Sequence, residues 1–246
     1  MRHLVILALL ASTLIAEEEA PPAPPAPPPP TLSQAVEELT KALADKSIDD
    51  ILTALPRVAT AYAGAEPDVQ KASVAAVAQA LKVEDLRVRH GAMAALGTMR
   101  AKGSSKHLTR WLNPPNDLKA EDPITYVEAI KAVGEIADPA TLATLDKLSD
   151  HQELPIAVAG THALGGYKEL PVGARKKLAF DLVSRLNMLT SRSRRADWGE
   201  SAILRRTQLG VATVTALQRL TGKKFETPEG WNRWKDEAEK QRNPFE

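Results

Sequence analysis

Three stretches of the chain, 85–97, 122–134 and 153–165, align with one another without a gap. Each opens on an acid: Asp85, Asp122 or Glu153. Each carries a small residue at the same place, Ala92, Ala129 or Gly160. Each closes on a small–apolar–glycine triplet: Ala95-Leu96-Gly97, Ala132-Val133-Gly134 and Ala163-Leu164-Gly165. The closing glycines are 37 and then 31 residues apart, from 97 to 134 and from 134 to 165. A period of this size marks a repeat array, in which one unit cannot bury its apolar face alone and must stack on its neighbour.

The physics within a unit is that of a helix. An acid at the start meets free amides and the positive macrodipole end. Small residues at helical spacing leave a smooth stripe for a neighbouring helix. A second helix is expected after each unit. It reads best at 139–148, with Asp138 as cap, Pro139 in the first turn, and Leu142, Leu145 and Leu148 along one side. Further helices are expected at 32–44 (capped by Thr31 or Ser33), 48–62, 67–82, 172–189 and 201–220. No alternating β-branched run and no Asn-Gly or Asp-Gly turn competes. Aromatic residues are only 4% of the chain while hydrophobic residues reach 43%. The core must therefore be built largely from Ala, Leu and Val, which suits close helix packing.

Asp85, Val88, Arg89, Ala92, Ala95, Leu96 and Gly97 resemble the pattern of HEAT-repeat proteins, in particular the HEAT-like family first associated with phycobilisome lyases. The resemblance covers about residues 65–190. The Val88-Arg89 pair becomes Thr125-Tyr126 and Ile156-Ala157, so the family's arginine ladder is broken. The resemblance implies an all-α fold: a right-handed α-solenoid of antiparallel helix pairs, with an inner and an outer face. At the end of the chain Gly222 ends a helix, and Thr227 with Pro228 starts another. Trp231 and Trp234 share a face of it. The Leu220-Thr221-Gly222…Phe225…Trp231…Trp234 arrangement resembles the C-terminus of exported bacterial HEAT-like proteins. It suits a capping helix from about residue 222, with an aromatic ligand platform as the alternative.

The first thirty residues stand apart. Arg2 and an apolar run at 4–16 have the form of a signal peptide, with cleavage expected after Ala16 and retention as an anchor the alternative. The run is short for a membrane span. Residues 17–30, with the acids Glu17 to Glu19 and then a proline run, read as a stiff polyproline linker. The expected organisation is thus signal peptide 1–16, linker 17–30 and repeat domain 31–246, in a protein exported to the periplasm, cell envelope or exterior.

The chain contains no cysteine, which excludes disulfides, thiolate metal sites and a cysteine nucleophile. His90, His107, His151 and His162 form no metal-binding spacing, and no phosphate loop or nucleophile elbow is present. No catalytic residue, metal, cofactor or specific nucleic-acid motif is therefore assigned. Some relatives of the repeat family are lyases, which keeps an enzyme or enzyme accessory as a third reading. The first is a non-catalytic scaffold that binds a protein through the solenoid surface.

The second reading comes from charge. Basic residues number 32 and acidic residues 31 overall, yet from 171 to 224 twelve basic residues face three acids. The densest part holds Arg192, Arg194, Arg195 and Trp198, followed by Arg205 and Arg206. Clustered guanidinium groups suit phosphate, sulfate or carboxylate partners, and Trp198 offers a stacking face. This marks the six residues as a candidate site for an anionic polymer or an anionic membrane surface. Arg205 and Arg206 in the first turn of a helix would oppose its positive end, a conflict an anion would relieve.

Overall fold

The computed structural model describes residues 30–114, 123–191 and 199–245. The expected signal peptide, nearly all of the linker and the capping acid Asp122 lie outside the described residues. Among those residues every regular element is helical. The helices are α1 Leu32–Asp45, α2 Ile48–Ala61, α3 Pro67–Ala80, α4 Leu86–Met99 and α5 Pro123–Ile136. They continue as α6 Leu142–Leu148, α7 Leu154–Leu164, α8 Val172–Ser191, α9 Glu200–Thr221 and α10 Pro228–Glu239.

Local chemistry explains most of these boundaries. Thr31 caps α1 in a reciprocal box with Gln34. Asp85 accepts from the Arg87 and Val88 amides and opens α4. Glu153 holds the N-cap position of α7 without a side-chain bond. Thr227 accepts from the Gly230 amide ahead of Pro228. Gly222 closes α9 at φ 77°, a left-handed conformation that glycine adopts without strain.

The expected second helix differs from unit to unit. After α4 the chain makes only two 3-10 turns, Ser104–His107 and Thr109–Leu112. Ser104 Oγ donates to the Ala101 carbonyl and Ser105 Oγ to Asp138. Such local bonds compete with helix propagation. After α5 there is a 3-10 turn, Pro139–Thr141, and then the seven-residue α6. Only after α7 does a long helix, α8, follow.

The packing follows the repeat. Helix α2 packs on α4, α4 on α5, α5 on α7 and α7 on α9. Beside this row, α1 packs on α3, α6 on α7 and α8 on α9. The closing triplets make the seams. A methyl carbon built on Gly97 would lie 3.0 Å from Ala132 Cα, one on Gly134 2.6 Å from Ala163 Cα, and one on Gly165 2.9 Å from Ala216 Cα. Each unit's glycine thus sits against the alanine of the next triplet. The apolar middle residues Leu96, Val133, Leu164 and Leu217 are fully buried.

Ala216-Leu217-Gln218 is accordingly a fourth triplet, which the sequence alignment missed. Its third residue is Gln218 instead of glycine. Gln218 Nε2 donates to the Phe225 carbonyl, so the position ties down the segment that leads to α10. Helix α10 packs on α8 and buries Trp231 and Trp234. Phe225 meets Trp231 edge-on at 5.1 Å, Trp231 meets Trp234 at 5.8 Å, and Phe180 meets Trp234 at 6.1 Å. The tryptophans are packing residues, and neither ring is open as a ligand platform.

Candidate functional site

Arg192, Arg194, Arg195 and Trp198 lie outside the described residues; Arg205 and Arg206 can be placed. Helix α9 begins at Glu200, so both arginines stand in its second turn, beyond the reach of the macrodipole's first-turn effect. The first turn holds an acid, Glu200. The expected conflict between cations and a helix N-terminus is therefore absent at these two positions.

Both arginines instead serve carbonyls. Arg205 Nη1 donates to the Gln152 carbonyl at 2.6 Å and Nη2 to the His151 carbonyl at 2.5 Å. Arg206 donates from Nε to the Leu189 carbonyl at 2.8 Å and contacts the same oxygen through Nη2. Leu189 is in the last turn of α8, where carbonyls have no partner within the helix. The same device recurs through the basic third. Arg175 Nε donates to the Leu220 carbonyl at 2.7 Å, in the last turn of α9. Lys176 Nζ donates to the Glu239 carbonyl at 3.3 Å, at the end of α10. Cations at helix C-termini satisfy stranded carbonyls and oppose the negative end of the dipole. Part of the basic excess therefore has a structural use that composition alone does not reveal.

Arg185 is engaged differently. Its Nη2 lies 2.8 Å from Asp146 and 3.4 Å from Asp150, and its Nη1 meets Ser149 Oγ. This joins α8 to the end of α6. Arg185, Arg205 and Arg206 together line a half-open cleft of about 300 Å³ between the α6–α7 turn, α8 and α9. From Glu200 to Val211, a stretch that forms one wall of the cleft, no α9 residue is buried, and Ile203, Leu204 and Val211 are more than half exposed.

A larger groove, about 670 Å³, runs across the C-terminal ends of α4, α5 and α7. Glu135 stands within it between two cations, with Arg219 Nη2 at 2.5 Å and Arg100 Nη2 at 2.9 Å. Burial pushes the Glu135 carboxyl up, but its bonds and charges with Arg219 and Arg100 outweigh this and hold it below its ordinary value. Lys102 and Lys168 stand on the groove's rim, both exposed. On its floor Tyr167 exchanges a 2.7 Å hydrogen bond with Thr141, and burial pushes its phenol up to about 12. The sequence carried a signal for this groove, since its wall is the residues just after the closing glycines, yet their side chains gave no motif.

Among the described residues no group of three or more His, Asp or Glu side chains is placed to hold a metal ion. No helix among them is long and apolar enough to cross a membrane. Comparison with protein-family models and with curated protein sequences finds no match.

Proposed function

We propose that the chain is an exported, non-catalytic scaffold of HEAT-like repeats, arranged as an α-solenoid, that binds a protein partner along its repeat edge. The observation that carries this reading is the groove over three consecutive repeat helices. Its volume is about 670 Å³, and residues of both signs of charge line it. Glu135 is held ionised between two arginines, while Lys102 and Lys168 project into solvent. Complementary rim charges of this kind select partners and set their orientation. The export part of the reading rests on the signal-like apolar run and proline segment at the start of the sequence.

The test is capture of partners from cell-envelope extract on the purified chain, in parallel with a Lys102→Glu, Lys168→Glu variant. A protein held by the parent, with a shallower salt dependence than heparin capture, and lost at least tenfold from the charge-reversed variant is the expected result. The same captured proteins on both chains would overturn the assignment to this groove. The second reading, an anionic polymer or membrane surface bound by the basic third, is favoured by the twelve-to-three excess of basic residues between 171 and 224. It predicts capture of heparin with a steep loss as salt rises.

A further inference from the structure

The cleft between the α6–α7 turn, α8 and α9 has a chemistry of its own, separate from the repeat-edge groove and narrower than a polyanion surface. Three guanidinium groups line it: Arg185, Arg205 and Arg206. Against them stand two carboxylates, Asp150 on the wall and Asp146 behind Arg185, both paired with Arg185. Arg185 is thus matched by carboxylates, whereas Arg205 and Arg206 bond to backbone carbonyls.

Arg205 is the group best placed to present positive charge to a ligand. Its two bonds go to neutral backbone carbonyls, and they fix the plane of the guanidinium. Roughly three of its N–H donors remain for an acceptor. The fork geometry of arginine matches a carboxylate.

Apolar side chains make up part of the remaining lining. Met188 and Leu189 contribute from α8, and Ala202 and Leu209 from α9. The buried hydroxyls of Thr161 and Thr213 already donate to carbonyls one turn back in their own helices, at 2.8 and 2.7 Å. They present oxygen acceptors and no further proton. A cleft of about 300 Å³ corresponds to about ten water-sized positions, since each water occupies about 30 Å³. A fixed guanidinium beside an aliphatic slot of this size suits an anionic group carried on a short apolar tail.

We propose that this cleft binds a carboxylate carried on a short aliphatic chain, with Arg205 holding the carboxylate and Met188, Leu189, Ala202 and Leu209 enclosing the tail. The same chemistry comes from two sources, a free fatty acid or the C-terminal residue of a peptide with an aliphatic side chain. The inference goes beyond both readings of function above and does not depend on either.

Calorimetric titration of the full chain tests it with octanoate, with octylamine, and with an acetylated tripeptide ending in leucine, its C-terminus free or amidated. The expected result is saturable one-to-one binding of octanoate or of the free-acid peptide, and none of octylamine or the amidated peptide. Whichever carboxylate binds identifies the source. Arg205→Gln should weaken binding at least tenfold. Because Arg205 also supports two carbonyls, Ala202→Trp is the second variant. It fills the slot from a half-exposed helix position, removes no hydrogen bond, and should abolish binding with the helical spectrum unchanged. Absence of saturable binding by either carboxylate at millimolar concentration would overturn the proposal. Equal binding of octylamine, or undiminished binding in Ala202→Trp, would do the same. Neither variant touches the repeat-edge groove, so partner capture there reads out independently.

Discussion

Ala132→Asp should cost the fold about 3–5 kcal/mol, a large share of the roughly 5–15 kcal/mol that holds a domain together. Ala132 is only 4% exposed and lies in the α4–α5 seam, where the Gly97 backbone approaches it. A carboxylate introduced there loses its water and meets helix backbone whose polar groups are already bonded. The change adds an uncompensated charge and also forces the seam apart. Thermal unfolding followed by circular dichroism checks this. At roughly 2–4 °C per kcal/mol for a domain of this size, the midpoint should fall by about 10 °C or more, or the chain should fail to fold. Ala72→Asp, at an exposed position of α3, is the control and should cost less than about 1 kcal/mol.

The second large effect is steric. A methyl group on Gly166 would fall well inside contact distance of the Gly134 carbonyl, and also near the Ala163 carbonyl at 3.3 Å. Both obstacles are backbone, so neither can yield as a side-chain tip would. Gly166→Ala should therefore destabilise by about 1–3 kcal/mol through overpacking, and Gly→Ala gains no offset from α-helical propensity at this turn position. Gly210→Ala gives the opposite sign. It stands inside α9 with open space around the added carbon, so the substitution should stabilise by about 0.5–1 kcal/mol. Denaturant midpoints of the two variants against the parent decide it. Equal shifts would mean that the two glycines share one environment.

Most helices were legible because their ends are written locally. Thr31 with Gln34, Asp85, Pro67, Gly222 and Thr227 with Pro228 each fix a boundary through a bond or a backbone angle that depends on a few neighbours. The gapped second helices were less legible. At Ser104 and Ser105 a choice between helix and side-chain bonding was settled partly by Asp138, thirty-three residues away from Ser105. The closing triplets were visible as a pattern, but their meaning lies between units. Nothing within 132–134 says that Gly134 meets Ala163 while Ala132 receives Gly97. The fourth triplet was hidden because Gln218 replaces its glycine and because α9 begins at Glu200, well before the triplet.

The basic third shows the same limit more sharply. Composition records twelve cations and cannot say where their donors point. In the structure Arg175, Lys176, Arg205 and Arg206 bond to backbone carbonyls at or near helix ends, and Arg185 pairs with Asp146 and Asp150. Of the six residues that the charge count singles out, Arg205 and Arg206 line a cleft with aliphatic side chains, while Arg192, Arg194, Arg195 and Trp198 lie outside the described residues. The Arg205 carbonyl partners, His151 and Gln152, are more than fifty residues away in sequence, which is why no local motif announces them.

The architecture rests on one repeated contact, the closing glycine of one unit set against the alanine of the next. A double-mutant cycle at Gly134 and Ala163 measures that contact with little else changed. Gly134→Ala adds a carbon 2.6 Å from both Ala163 Cα and Cβ, and Ala163→Gly removes the second of these obstacles. If α5 and α7 meet there, the destabilisation by Gly134→Ala should shrink in the Ala163→Gly background, with a coupling of at least about 0.5 kcal/mol. Strict additivity of the two substitutions would contradict the seam, and with it the stacking of the repeat helices.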